Sequence, residues 1–446
     1  MLRTQNYQLL SSFERRFGGS ILWIATILFV TWCYAADANT LHVPADFATI
    51  QGALDAGGPG DFILVTEGTY TENIVWPQTS DLHLLSDPAN QNPPTIDGAS
   101  AGRVVDIEAD GSGVFTAEIS GFIITHGFLN VPAHNGETGA GIFMINGALR
   151  LSRCVIDANE ITSSFPIQNN GGGAGVSIVS TPVGSINLIQ SCVFSSNSVS
   201  AVTSGDGAAI HLDGAPLVMK DTEIQNNSIE VGEVGLGTIY DYASDLVLDS
   251  VKVEQNRAQT DSSLPEGFAA IKGTGVFSYL SNVRIVNCKI ANNLSTPQNS
   301  TLTLLGAALY FYGEGTRLRI SSSSIGYNSR TDGAATNGTA LFFSSLVPGT
   351  AMVVNSILWN PGNGDEVDSF SQPAIEYFTD ARGGSRRRGN RNADPLFVSP
   401  LDFHLQPTSP CLNAGSNRFA PPRDIDGTVR PLPAHSKVDL GCYEMN

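Results

Sequence analysis

The chain has 446 residues and carries 24 Lys+Arg against 42 Asp+Glu, a net charge of −18. It therefore has no overall basic footprint for a nucleic-acid ligand, and a hydrophobic content of 41% excludes wholesale disorder. Charged residues make up only 15%, and Gly numbers 46, a composition that leans to strands and turns.

Arg3, Arg15 and Arg16 precede an uncharged apolar run from Ile21 to Ala36, followed by Ala35-Ala36-Asp37-Ala38. The run is short for a membrane span. Basic residues, an apolar stretch and small residues in that order predict a signal peptide over 1–38, cleaved after Ala36 or Ala38. The alternative is an uncleaved anchor. The rest of the chain is then expected to be secreted or held at the cell surface. It keeps Cys154, Cys192, Cys288, Cys411 and Cys442, too few for a disulfide scaffold.

Residues 39–116 read as an N-terminal cap and first coils. Phe47, Ile50, Ala53 and Leu54 share one helical face. Asp46 is the candidate N-cap, and Gly57-Gly58-Pro59-Gly60 stops the helix.

Residues 117–380 are built from a repeat. One phrase (apolar, two residues, a small residue or Cys, one residue, apolar, two residues, Asn) recurs at 151–159, 189–197, 219–227, 248–256, 285–293, 320–328 and 352–360. A first copy at 119–127 ends in Gly. Its fourth positions are Phe122, Cys154, Cys192, Thr222, Val251, Cys288, Ser323 and Asn355, 29 to 38 residues apart. A second phrase, small-small-apolar-x-apolar, alternates with it at 139–144, 173–178, 207–212, 306–311 and 338–343, with degenerate copies at 237–242 and 268–273. Short period-2 apolar runs are strands, and Gly and Asn punctuate them with left-handed turns. No repeat holds a crossover helix. The pattern predicts an all-β parallel solenoid of about eight or more coils with three strands each, stacked at about 4.8 Å, its Asn residues bonding in a ladder. A β-propeller or a sandwich is the alternative, and a propeller needs longer repeats with four strands.

The alternation of these two phrases resembles right-handed parallel β-helix proteins. Among these are the pectate-lyase-like superfamily and the chlamydial-type polymorphic outer-membrane repeats. The latter are matched literally by Phe194-Ser195-Ser196-Asn197 and loosely by 172–176. Residues 42–74 resemble the N-terminal segment of secreted β-helix proteins, pectin methylesterases among them. Residues 381–446 read as a linker and a C-terminal module. The linker, 381–392, carries five Arg. The stretches at 394–397, 402–405, 409–415, 424–431 and 438–444 resemble a module that follows β-helices in many exported bacterial proteins. That family usually has a small residue where Cys411 and Cys442 stand, which implies a disulfide between the two; two unrelated buried thiols are the alternative.

In the second phrase the apolar residues face inward and the x residue outward. Down the coils, x reads Phe143, Ser177, His211, Tyr240, Lys272, Tyr310 and Phe342. Aromatic faces stack on sugar rings. Phe143, Tyr240, Tyr310 and Phe342, with Asp213 two residues beyond His211, are therefore candidate ligand-binding residues. His211, Tyr240 and Lys272 are candidate catalytic residues for proton abstraction from a uronate polysaccharide. The alternative is a stacking ladder with no ligand. The catalytic segments of pectin methylesterases, polygalacturonases and pectate lyases are absent. Asp424, Asp426 and Asp439 are candidate calcium ligands, with a backbone-bonding turn as the alternative. The expected function is binding of a polysaccharide or cell-surface glycan by a monomer, calcium being the one possible cofactor. A polysaccharide lyase or glycosidase, and a non-catalytic adhesin, are the alternatives.

Overall fold

The computed structural model describes residues 38–445 apart from 132–137, 164–171, 261–269, 297–307, 314–315, 331–338, 345–350, 361, 363, 370–372 and 385–387. Of the leader expected over 1–38, residues 1–37 lie outside the described residues. Within them, no helix is long and apolar enough to cross a membrane.

The chain is a right-handed parallel β-helix. Among the described residues the strands form four long parallel sheets. Sheet 1 has 12 strands, from Thr40–Val43 to Ile375–Tyr377, and sheet 2 has 11, from Thr69–Thr71 to Asp380–Ala381. Sheet 3 has 7, from Phe128–Asn130 to Ser329–Arg330, and sheet 4 has 10, from Ile74–Val75 to Val367–Ser369. A fifth sheet has 3 strands, Ser204–Asp206, Val234–Leu236 and Ala270–Lys272. Twelve rungs at the strand spacing make an axis of about 50 Å.

One coil shows the path. It runs Leu217–Lys220 in sheet 1, Glu223–Gln225 in sheet 2, Ser228–Val231 in sheet 3, Val234–Leu236 in sheet 5 and Ile239–Tyr242 in sheet 4. Among the described residues the interior coils thus hold four or five strands rather than the three expected, while the coils at either end hold three or fewer. The extra strands are two to four residues long, and those of sheet 3 bury at most two, such as Val199 and Ala201 or Ile229 and Val231, too short a run for a period-2 pattern to stand out. Left-handed residues turn the corners: Asp221 between sheets 1 and 2, Asn226 between sheets 2 and 3, and Ala243 between sheets 4 and 1, with φ of 46°, 57° and 50°. Inside, like residues stack. Leu151, Ile189, Met219, Leu248, Ile285, Ile320 and Val353 are successive register partners, and all are buried.

The expected Asn ladder is present. The backbone N–H and side-chain amide of Asn227 both donate to Asn256 Oδ1, at 3.0 and 2.9 Å. The same pair of bonds joins Asn159 to Asn197, Asn197 to Asn227, Asn256 to Asn293, Asn293 to Asn328 and Asn328 to Asn360. Gly127 starts the ladder, donating its N–H to Asn159 Oδ1 at 2.9 Å. A Cβ there would sit 2.0 Å from the Ala140 carbonyl oxygen, which is why the first copy ends in Gly.

The last copy of the repeat is slipped by one residue. Ser323 donates its N–H to Ser356 Oγ, at 3.2 Å, so Ser356 and not Asn355 takes the fourth position. Asn355 is instead the left-handed residue before it, with φ 51°.

The cap helix runs Ile50–Ala56 and buries Ile50, Ala53 and Leu54. Its N-cap is Thr49, whose hydroxyl accepts from Gly52 N–H at 3.1 Å. Asp46, the expected cap, is turned back to accept from His42 N–H. Glu72 completes the helix start by accepting from the N–H groups of Ile50 and Gln51, each at 2.9 Å.

The C-terminal segment packs on the flank of sheet 2. Phe397, Phe403, Cys411, Leu440 and Cys442 form one cluster with Ala291 and Ile357. Asn355 pins it, its amide donating to Ser416 O and its carbonyl accepting from Ser416 N–H, both at 2.8 Å. The expected Cys411–Cys442 bridge is not formed, and all five described cysteines are free and buried. Cys411 donates instead to Asp380 Oδ2, 3.0 Å away. Cys442 is held by its backbone N–H on Ser324 Oγ. Cys154 and Cys192 stack as thiols, Cys192 Sγ accepting from Cys154 N–H at 3.5 Å.

Candidate functional site

Sheet 4 places one outward column in register: Asp106, Phe143, Ser177, His211, Tyr240, Phe277, Tyr310, Phe342 and Asp368. Six of the seven expected positions are correct, and Lys272 is not. Two small-residue phrases sit side by side at 268–278, and the second, Gly275-Val276-Phe277, supplies the rung. The first belongs to sheet 5, where Asp206, Leu236 and Lys272 are register partners.

Sheet 5 is what closes over the column. Asp206 Oδ1 lies 2.8 Å from His211 Nδ1. Leu236 packs against the cluster of Tyr240, Phe277, Tyr310 and Phe342. Lys272 Nζ sits 5.6 Å above the Tyr310 ring. Beneath these contacts His211 is 2% exposed, and Tyr240 and Tyr310 are buried. Phe143 is capped by the Arg103 guanidinium, 4.4 Å over its ring.

The rings also use their faces on one another. Successive centroids from His211 through Tyr240, Phe277 and Tyr310 to Phe342 are 4.9, 5.5, 5.4 and 5.1 Å apart, all stacked. Little face is left for a sugar. Nor do the expected catalytic groups meet in an open cleft. Burial, then the Asp206 and Asp213 carboxylates, push the Tyr240 hydroxyl above the ordinary tyrosine range, so it is a poor base at neutral pH. Burial alone lowers the Lys272 pKa, but Lys272 and Asp206 are two rungs apart, about 10 Å. Of the expected ligand-binding residues, Tyr310 and Phe342 are built into the covered stack, and Phe143 lies apart from it under Arg103.

The open surface lies two residues further along each strand. Asp213, Tyr242, Tyr279, Tyr312 and Ser344 are register partners. Tyr242 and Tyr279 are tilted with centroids 5.4 Å apart, and Tyr279 and Tyr312 are stacked at 5.2 Å. Tyr312 is 46% exposed. With Asp213, Leu236 and the edges of Tyr240 and Phe277 they line a cleft of about 580 Å³. Asp213 and Tyr240 thus line the cleft. Tyr242, Tyr279 and Tyr312 were missed. Their signal was the second outward position of the same phrase, Tyr in three consecutive copies.

The three candidate calcium ligands are engaged elsewhere. Asp424 accepts from the N–H groups of Asp426, Thr428 and Glu444. Asp439 accepts from those of Asn413 and Met445, and Asp426 lies 3.2 Å from His404 Nε2. Among the described residues no three His, Cys, Asp or Glu side chains could hold a metal ion. These carboxylates tie the tail's turns together.

No family model matches the chain, and no curated protein does. Among solved structures, the chain is similar to the crystal structure of a pectate lyase, Pel9A, at 14% identity and a TM-score of 0.33, over 92% of this chain and 96% of that one. A likeness of that strength adds nothing to the sheet topology, which stands on its own register, and carries no chemistry across.

Proposed function

We propose that this chain is an exported β-helix protein that binds a polysaccharide along the tyrosine cleft of sheet 4. One observation carries the reading: Tyr242, Tyr279 and Tyr312 repeat at the rung spacing in an open cleft beside Asp213. Tyrosine joins an apolar ring to a hydroxyl, which suits a sugar's mixed surface. A row of such groups at regular spacing suits a ligand that repeats along its own axis. The carboxylate at the head of the row accepts hydrogen bonds from sugar hydroxyls. Turnover is not part of the proposal, since His211 and Lys272 lie in the covered stack and its wall. Export rests on the leader pattern before Asn39.

The test is binding and turnover of the mature protein on a polysaccharide array, scoring unsaturated products by ultraviolet absorbance. Retention without product, lost in Tyr279→Ala/Tyr312→Ala, is the expected result. Product formation would make the protein a lyase. Retention on no glycan would leave a scaffold or adhesin. N-terminal sequencing of protein recovered from the medium should begin at Asp37 or Asn39; recovery only with membranes would contradict export.

A further inference from the structure

A second surface feature lies one corner away, on the outer face of sheet 1. Val247, Arg284, Arg319 and Met352 are successive register partners there. Arg317 lies on the same face, two residues before Arg319, and the intervening Leu318 points into the core. With Asp245 and Asn282 these arginines line a concavity of about 390 Å³. All three arginines are exposed.

The arrangement is unfavourable on its own. Arg284 and Arg319 stand directly opposite on neighbouring strands, and like charges so placed destabilise a sheet. Acid is plentiful in a chain of charge −18, yet among the described residues none of the three arginines holds a carboxylate. By contrast Arg103, Lys252, Lys289 and Arg430 each do. The one acid lining the concavity, Asp245, accepts from Asn282 Nδ2 at 2.9 Å. Asn282 in turn accepts from the Arg317 N–H, which fixes the strand carrying two of the three guanidinium groups.

We infer that Arg284, Arg317 and Arg319 form a binding site for sulfate ester groups on a glycan. Guanidinium forks match oxyanions. A tetrahedral ester offers three acceptor oxygens, one for each arginine, whereas a planar carboxylate offers two. The glycan half of the inference rests on the tyrosine reading above. Tyr242 and Tyr279 are three residues before Asp245 and Asn282, so the two surfaces flank the same turn. The anion half does not rest on it. The molecule as a whole repels polyanions, so retention of one needs a local cationic site.

The experiment compares dextran sulfate, unmodified dextran and polygalacturonate as probes for wild type, Arg284→Gln/Arg319→Gln and Tyr279→Ala/Tyr312→Ala. Wild type should bind dextran sulfate at least tenfold more tightly than polygalacturonate, and the affinity should fall with added salt. The arginine variant should lose at least tenfold toward dextran sulfate, and its own melting temperature should equal or exceed that of wild type. Equal binding of polygalacturonate, unchanged binding by the arginine variant, or a lowered melting temperature in that variant overturns the inference. Loss in the tyrosine variant alone sinks this site and keeps the tyrosine cleft. Loss in the arginine variant alone keeps this site and sinks the cleft.

Discussion

The backbone N–H and the side-chain amide of Asn360 both donate to the carboxylate of Glu366, at 2.7 and 2.8 Å. Glu366 thereby ends a ladder that begins at Gly127 and runs through seven buried asparagines. Each amide satisfies the next, so each is costly to remove. Asn256→Ala would strip the acceptor from Asn227 and a donor from Asn293. The expected loss is about 3–5 kcal/mol of unfolding free energy, the range for breaking a buried network. Urea unfolding checks it; a loss within about 0.5 kcal/mol would show that the ladder contributes little.

Two buried acids make stability depend on pH. Burial pushes the Glu366 carboxyl up to about 7, against its Asn360 bonds. Burial does the same to Asp241, also up to about 7, against its Ser278 bond. Asp241 points into the core between Leu212 and Ser278, and its Oδ1 has no partner among the described residues. A folded-state pKa raised above the unfolded one gives stability that is complete below about pH 4 and lost as pH rises through the folded value. The melting temperature should therefore fall between pH 5 and pH 8. Asp241→Asn/Glu366→Gln should flatten the curve over that window. An unchanged slope in the double variant would remove both groups from the explanation.

The two tyrosine-bearing columns separate stability from binding. Phe277 lies in the covered stack, so Phe277→Ala should cost about 3–5 kcal/mol. Tyr312 projects from the cleft, so Tyr312→Ala should change stability by no more than about 0.5 kcal/mol while weakening glycan retention. Thermal melts and retention on a polysaccharide column, run on both variants, check the pair. Equal destabilisation by both would mean that the outer tyrosines are also structural.

Thiol titration is a direct check of the cysteines. Unfolded without reductant, Cys154, Cys192, Cys288, Cys411 and Cys442 should all react. Two missing equivalents, restored by reductant, would show a bridge.

The coils were legible because one rung repeats the next. The inward apolar positions, the Asn column and the outward His211–Tyr240 neighbours all follow from alternation within a strand. Strands of sheets 3 and 5 were not legible, because runs of two to four residues, burying at most a pair such as Val199 and Ala201 in sheet 3, are too short for a period to stand out. That omission explains the larger misreading. Without sheet 5, His211 to Tyr310 looks like an open face, and Lys272 looks like a rung of it. Cys411 misled for another reason. A family's usual residue says nothing of the Asp380 carboxylate that the thiol meets here. The cleft itself lay two positions along the phrase already in view, at Tyr242, Tyr279 and Tyr312.

The first measurement to make is affinity electrophoresis through gels containing a polysaccharide to which the wild-type protein binds on an array. Tyr279→Ala/Tyr312→Ala, with a wild-type melting temperature, should migrate as though the polymer were absent. Retardation equal to that of wild type would mean that the tyrosine cleft does not hold the ligand.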